Sequence, residues 1–260
     1  MLRANGQVFV PNVQARGFKL IYATSDLCAG IMSFERTLIP VARWTSDDHP
    51  IDRVEYHRND AYYEDYAKLA CNLAVQAVDL FASYKASEGQ FGGSSTPSQS
   101  EQGESYTLAW SRIWDEMELY FVTRPAHMQP IFSIPGHNPS INSPFPNVIY
   151  SNAAAQAGNQ WAHCAAILML QRKPRDLALK PKTKSILWHA RQICGIALSN
   201  DHHGCWTNAV QPMWIAGRLM SHPQEHEAIL HWLRKVEIET GWATQFRIDD
   251  LMEHWGSFDD

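Results

Sequence analysis

The sequence has no long apolar run. The longest near its middle is Ala165 to Leu170, whereas a membrane-spanning helix needs about 20 such residues. The first residues, Met-Leu-Arg-Ala-Asn-Gly-Gln, offer no apolar stretch for a secretory signal. Cysteine is scarce and odd in number: Cys28, Cys71, Cys164, Cys194 and Cys205 are widely spaced and mostly set among apolar residues. That pattern fits buried reduced thiols in a soluble intracellular protein better than a disulfide framework. Positive charge is not in excess either. With 22 Lys and Arg against 27 Asp and Glu, the net charge is −5, which argues against the whole chain acting as a nucleic-acid clamp.

Catalytic signatures are missing as well. There is no G-x-S-x-G, no G-x-G-x-x-G after a strand, no phosphate-binding Walker loop, and no Cys/His pairing that spacing locates. Missing motifs do not exclude catalysis, but they leave no reason to assign a catalytic residue or a cofactor. What the chain does have is aromatic mass. Ten tryptophans in 260 residues need packing partners, and this predicts an ordered core with large ring contacts.

Helical periodicity dominates the rest. Residues 1–58 are the least legible, with a helix expected from Leu27 towards Ala42 and ended near Pro40. Asn59-Asp60 precedes a long helix whose Tyr66, Leu69, Ala70, Leu73, Ala77 and Leu80 share one face. Residues 86–104 are rich in Gly, Ser, Gln and Glu and are expected to be a disordered loop. Ser105 caps a helix with the stripe Trp110, Ile113, Trp114, Met117 and Phe121, and Pro125 ends it.

A connector from Pro125 to Asn147 shows no period. Ser151 opens an Ala-rich helix to about Leu170. Thr183 leads a helix with Ile186, Leu187, Ala190, Ile193, Cys194 and Ala197 inward. A further helix runs from about Thr207 to Met220. The next starts near Ser221, carries Ile229, Leu230, Leu233 and Val236 inward, and ends at Gly241; a short last helix holds Leu251 and Trp255. No alternating runs point to a sheet. The expected class is all-α, an irregular multi-helix array forming a single domain over 1–260.

Three local clusters carry potential chemistry. His222-Pro223-Gln224-Glu225-His226 matches a metalloprotease string, but Ser221 with Gln224 also makes a capping box, with Pro223 in the first turn, and that reading is favoured. Asp201-His202-His203-Gly204-Cys205 packs metal-ligand types together, yet one local cluster closes a tetrahedral site poorly. A polar loop between helices is favoured, and no metal site is assigned. Arg172 to Lys184 carries Arg172, Lys173, Arg175, Lys180, Lys182 and Lys184 against Asp176 alone. It reads as a nuclear import signal, as a phosphate-contacting patch, or as the solvated loop that Pro174 and Pro181 favour.

His163 and Arg218 interrupt apolar helical stretches. Each is either a hydrogen-bonded core residue or a polar contact in a ligand pocket, and with Trp214 they are the candidate ligand-binding residues.

Five blocks in sequence order carry a resemblance. They are Asn59-Asp60 with the helix through Ala70-Cys71-Asn72-Leu73-Ala74; Trp110 to Pro125, ending in Arg124-Pro125; Phe145-Pro146-Asn147-Val148 through Trp161-Ala162-His163; Ile193 to Ala197; and Gly217-Arg218 to Thr240-Gly241-Trp242, closing on Trp255-Gly256. Together they resemble the C-terminal part of the fungal-specific transcription factor domain, the regulatory region of zinc-cluster transcription factors.

The resemblance implies transcription regulation in the nucleus rather than catalysis. It also implies a small-molecule effector, a homodimer, or contact with the transcription machinery. Two departures limit it. The six-cysteine zinc cluster that reads DNA in such regulators is not in this sequence, so neither zinc nor direct DNA contact is implied. The earlier part of the family's domain has no counterpart, and the chain is expected to be a fragment, a truncated product or a stand-alone descendant. The alternative is a stand-alone helical protein that binds or transforms a small hydrophobic metabolite.

Overall fold

A computed structural model describes residues 24–33, 35–39, 63–90, 105–136 and 143–256, with backbone alone for 63–65 and 85–90. Among the described residues eight helices follow one another: α1 (24–33), α2 (Tyr63–Gln90), α3 (Tyr106–Thr123), α4 (Ala153–Gln171), α5 (Ile186–Ser199), α6 (His203–Gly217), α7 (Pro223–Thr240) and α8 (Gln245–Trp255). The all-α expectation holds. The connector after α3 is more ordered than its lack of period predicts. It holds a 3-10 turn, Ala126–Met128, and strand β1 (Phe132–Ile134), which pairs antiparallel with β2 (Asn147–Ile149), Ser133 opposite Val148. Three residues per strand are too few to show a period of two, so tertiary pairing reveals what the sequence hides.

Helix α4 is the centre. Thirteen of its residues are buried, and it packs against α2, α3, α5, α6 and the 3-10 turn. Small side chains make this feasible. A Cβ on Gly158 would come within 3.0 Å of Ala67 Cα, so α2 and α4 meet nearly backbone to backbone. Trp110 Nε1 donates to Met169 O at 2.9 Å, tying α3 to the end of α4 and satisfying a buried indole. Trp110, Trp161 and Trp206 are fully buried, so part of the tryptophan excess does build the core.

Several boundaries differ from the sequence reading, each for a local reason. α1 does not continue towards Pro40, because residues 35–39 are not helical. The backbone N–H groups of Thr37, Leu38 and Ile39 are instead bound by the Asp79 and Asp26 carboxylates, and such side-chain acceptors compete with helix continuation. α2 runs to Gln90, into the segment expected as a loop; residues 91–104 lie outside the described residues, as do Asn59-Asp60.

Asn152, not Ser151, caps α4, accepting from Ala155 N at 2.8 Å. Ser185, not Thr183, caps α5, and Leu187 faces outward while His189 is buried. α6 begins at His203, so His203-Gly204-Cys205 is a first helical turn rather than a loop. His222 caps α7 through its imidazole, in place of the Ser221 capping box, with Pro223 at the first helical position. Ser105 and Gly241 hold the roles expected of them, the latter at φ 72°.

Candidate functional site

Helix α4 carries a polar row on an otherwise apolar, buried cylinder. Gln156, Asn159, Gln160 and His163 recur at helical spacing and are each at most 3% exposed. Buried polar groups are costly unless hydrogen-bonded. Asn159 meets that demand. Its Nδ2 donates to Met128 O and Ala155 O, and its Oδ1 accepts from Arg124 Nη1. Arg124, at the C-terminal cap of α3, also donates through Nε to Phe121 O and lies 5.1 Å over the Phe121 ring. The amide atoms of Gln156 and Nε2 of Gln160, by contrast, have no hydrogen-bond partner among the described residues.

One turn along, His163 Nδ1 meets His189 Nδ1 of α5 at 2.9 Å. The Phe121 ring lies 4.9 Å from His163 and 5.8 Å from His189. Trp188 turns its edge to both, at 5.5 and 5.0 Å. Burial, then the neighbouring His189 and Arg124, hold His163 well below the ordinary imidazole range. Burial, reinforced by Lys184, lowers His189 to about 4. The pair is therefore neutral near pH 7, one ring donating and the other accepting.

Trp214 and Arg218 belong to a second cluster that, among the described residues, shares no partner with His163. The Arg218 guanidinium lies 5.1 Å over the Trp214 ring and 3.5 Å from Asp250 Oδ2, the carboxylate that also accepts from Trp214 Nε1. Arg247 of α8 lies 4.5 Å over the same indole and donates to Gln211 Oε1. The remainder of this C-terminal region is held by capping. Trp255 Nε1 donates to Gly217 O at 3.0 Å, and a Cβ on Gly217 would press to 3.1 Å from Leu251. At the other end, Glu237 Oε2 accepts from the backbone of Thr244 and Gln245, which pulls its carboxyl below the usual range.

The metal-type strings are dispersed. Glu225 is buried against Arg191 at 2.8 Å, His222 caps α7, and His226 stacks on Trp255 at 3.8 Å. His203 pairs with Glu239 and Cys205 donates to Ala153 O. Among the described residues no group of three or more His, Cys, Asp or Glu side chains could hold a metal ion. The basic loop after α4 is divided: Lys180 pairs with Glu118 and Asp115, and Lys184 lies over Trp188. No described helix is long and apolar enough to cross a membrane.

Sequence reasoning missed His189, Arg124 with Asn159, and Arg247. His189 was within reach, because it lies three residues after Ile186 on the arc that buries Ile193. Arg247 was not. A charged residue beside Ile248 looks solvent-facing until Trp214 and Phe246 are seen to enclose it.

No protein-family model matches the chain, and no solved structure matches it. The chain is similar to the transcription activator AMTR1 of Alternaria alternata, 26% identical over 165 residues. The match covers 56% of this chain and 21% of that protein, about a fifth of the relative's length.

Proposed function

We propose that this chain is a regulatory helical region of a transcription regulator, of the kind found in fungal zinc-cluster factors. The observation that carries the reading is the likeness to a transcription activator over 165 residues, in an all-α chain whose ordered blocks resemble that regulatory domain. In this role it acts in the nucleus by answering a small-molecule effector, pairing with a second copy, or contacting the transcription machinery. The DNA-reading chemistry is not in its own residues: five cysteines are too few for a six-cysteine cluster, and the net charge is negative.

Neither Cys28 nor Cys71 is an activated nucleophile. Burial raises Cys28 to about 11 and Cys71 to about 12, opposite to the lowering that activates a nucleophilic cysteine. The test is a reporter assay with the full chain fused to an unrelated DNA-binding domain in fungal cells. A several-fold change in reporter output over the DNA-binding domain alone is expected. A folded, expressed fusion that leaves the reporter unchanged overturns the reading, as does tight operator binding by the unfused chain at physiological salt.

A further inference from the structure

The outer face of α7 is a stripe set by helical spacing. Glu227, His231, Arg234 and Ile238 recur at intervals of three and four residues, and all are exposed. Its first turns are the charged surface of a solvent-facing helix. Its C-terminal end is different. Ile238 is 83% exposed, and beyond the helix Trp242 is 54% and Phe246 52% exposed. Exposed apolar residues standing singly are ordinary, whereas large ones recurring every fourth residue along one junction mark a surface that meets another.

The junction that presents them is fixed. Gly241 N–H donates to Glu237 O and Trp242 N–H to Thr240 Oγ1. Thr244 Oγ1 donates to Leu233 O at 2.9 Å, and Glu237 Oε2 accepts from the backbone of Thr244 and Gln245. A surface held in place loses little freedom on binding. Beside it, Lys235 is paired with Asp201 and Glu239 with His203, which supplies a polar rim.

The order of groups along the stripe is self-complementary. Arg234 stands four residues before Ile238 and Trp242 four residues after it. Two copies laid antiparallel about a twofold axis through Ile238 set that residue against its own counterpart. The guanidinium of Arg234 in each copy then meets the indole of Trp242 in the other. A twofold contact requires this kind of self-match, and arginine on tryptophan is the favoured cation–ring pair. The chain already uses it internally, with Arg218 and Arg247 over Trp214.

We propose that the α7–α8 junction is a self-association surface, on which two copies of this chain pair antiparallel through Ile238, Trp242 and Arg234. The apolar part is only a few side chains, against about 800 Å² per partner in a stable interface, so the dimer is weak and forms with rising concentration. A part for this pairing in regulation rests on the reading above; the pairing itself does not.

Sedimentation velocity of the full chain over a concentration series tests the proposal. A monomer–dimer equilibrium with a Kd of about 10–100 µM is expected. Ile238→Lys sets two ammonium groups face to face at the axis and should weaken the dimer by about tenfold or more, as should Ile238→Glu on its own. An equimolar mixture of the two should pair again, because opposite charges then meet there. Trp242→Ala and Arg234→Ala should each weaken it several-fold. All these positions are exposed, and a wild-type circular dichroism spectrum checks that each variant folds. A dimer unchanged by Ile238→Lys, a mixture that stays monomeric, or a wild-type chain still monomeric at about ten times that concentration would overturn the proposal. So would binding to neutral lipid vesicles through Ile238 and Trp242 by a chain that stays monomeric. A monomeric chain with an active reporter fusion leaves the regulatory reading intact, and a dimer with a silent fusion leaves the pairing intact.

Discussion

His163 and His189 meet nitrogen to nitrogen at 2.9 Å, in a ring cluster closed by Phe121 and Trp188. The contact requires one Nδ1 to carry a proton and the other to be bare. A second proton would set two N–H groups against each other, and it would charge a buried ring near Arg124 and Lys184. Both folded pKa values are lowered from the ordinary 6.5, His189 to about 4.

The unfolded chain therefore binds more protons than the folded one between about pH 4 and 6.5, and stability rises with pH across that window. The stabilisation is complete above the unfolded pKa and is lost as pH falls towards the folded values. Each histidine contributes a slope of up to about 1.4 kcal/mol per pH unit. Urea midpoints measured from pH 7 down to pH 4 should fall steeply. A double variant, His163→Gln with His189→Gln, should show a flatter profile; an unchanged slope would show that other groups set it.

Gly195 predicts an intolerant position. A Cβ there would stand 2.3 Å from Pro146 O and 2.8 Å from Pro146 Cγ, so α5 and the segment before β2 must separate to admit it. Gly195→Ala should cost about 1–3 kcal/mol or more, the usual range for overpacking. Gly204, in the first turn of α6, is the control, since a Cβ added there would meet nothing within 4 Å. Gly204→Ala should be neutral or stabilise by up to about 1 kcal/mol. Chemical denaturation of the two variants compares them directly.

The Arg191–Glu225 pair predicts an asymmetry. The Glu225 side chain is 1% exposed and that of Arg191 is 40% exposed. Removing the arginine leaves a buried carboxylate alone, whereas removing the carboxylate leaves a cation that water can reach. Arg191→Met should therefore cost about 3 kcal/mol and Glu225→Gln about 1 kcal/mol, after discounting for the exposed partner. Equal losses in thermal or urea unfolding would refute that ordering.

The sequence was most legible where chemistry and structure are both local. Ser105 and Gly241 cap their helices because a hydroxyl and a missing Cβ act within one turn, whatever surrounds them. Four of the five stripe residues expected on α3, Trp110, Ile113, Trp114 and Met117, are buried, whereas Phe121 is half-buried and Tyr120 and Ala109 are buried in addition. Caps chosen among several polar neighbours were misplaced by one or two residues. Asn152 beside Ser151, Ser185 beside Thr183 and His222 beside Ser221 offer similar acceptors, and packing selects between them. The candidate site was less legible. His163, Trp214 and Arg218 stand out as polar or aromatic interruptions, but spacing within one helix does not say which helix lies opposite.

Composition and periods of a few residues are enough to make the chain helical, poor in signals for membranes, disulfides or zinc, and ordered around tryptophans. Packing between helices settles the rest. It sets His163 against His189 across α4 and α5 and brings Arg218 and Arg247 together on Trp214. These pairings join residues tens of positions apart. They follow from how closely neighbouring helices approach one another, which no single stretch of the chain encodes.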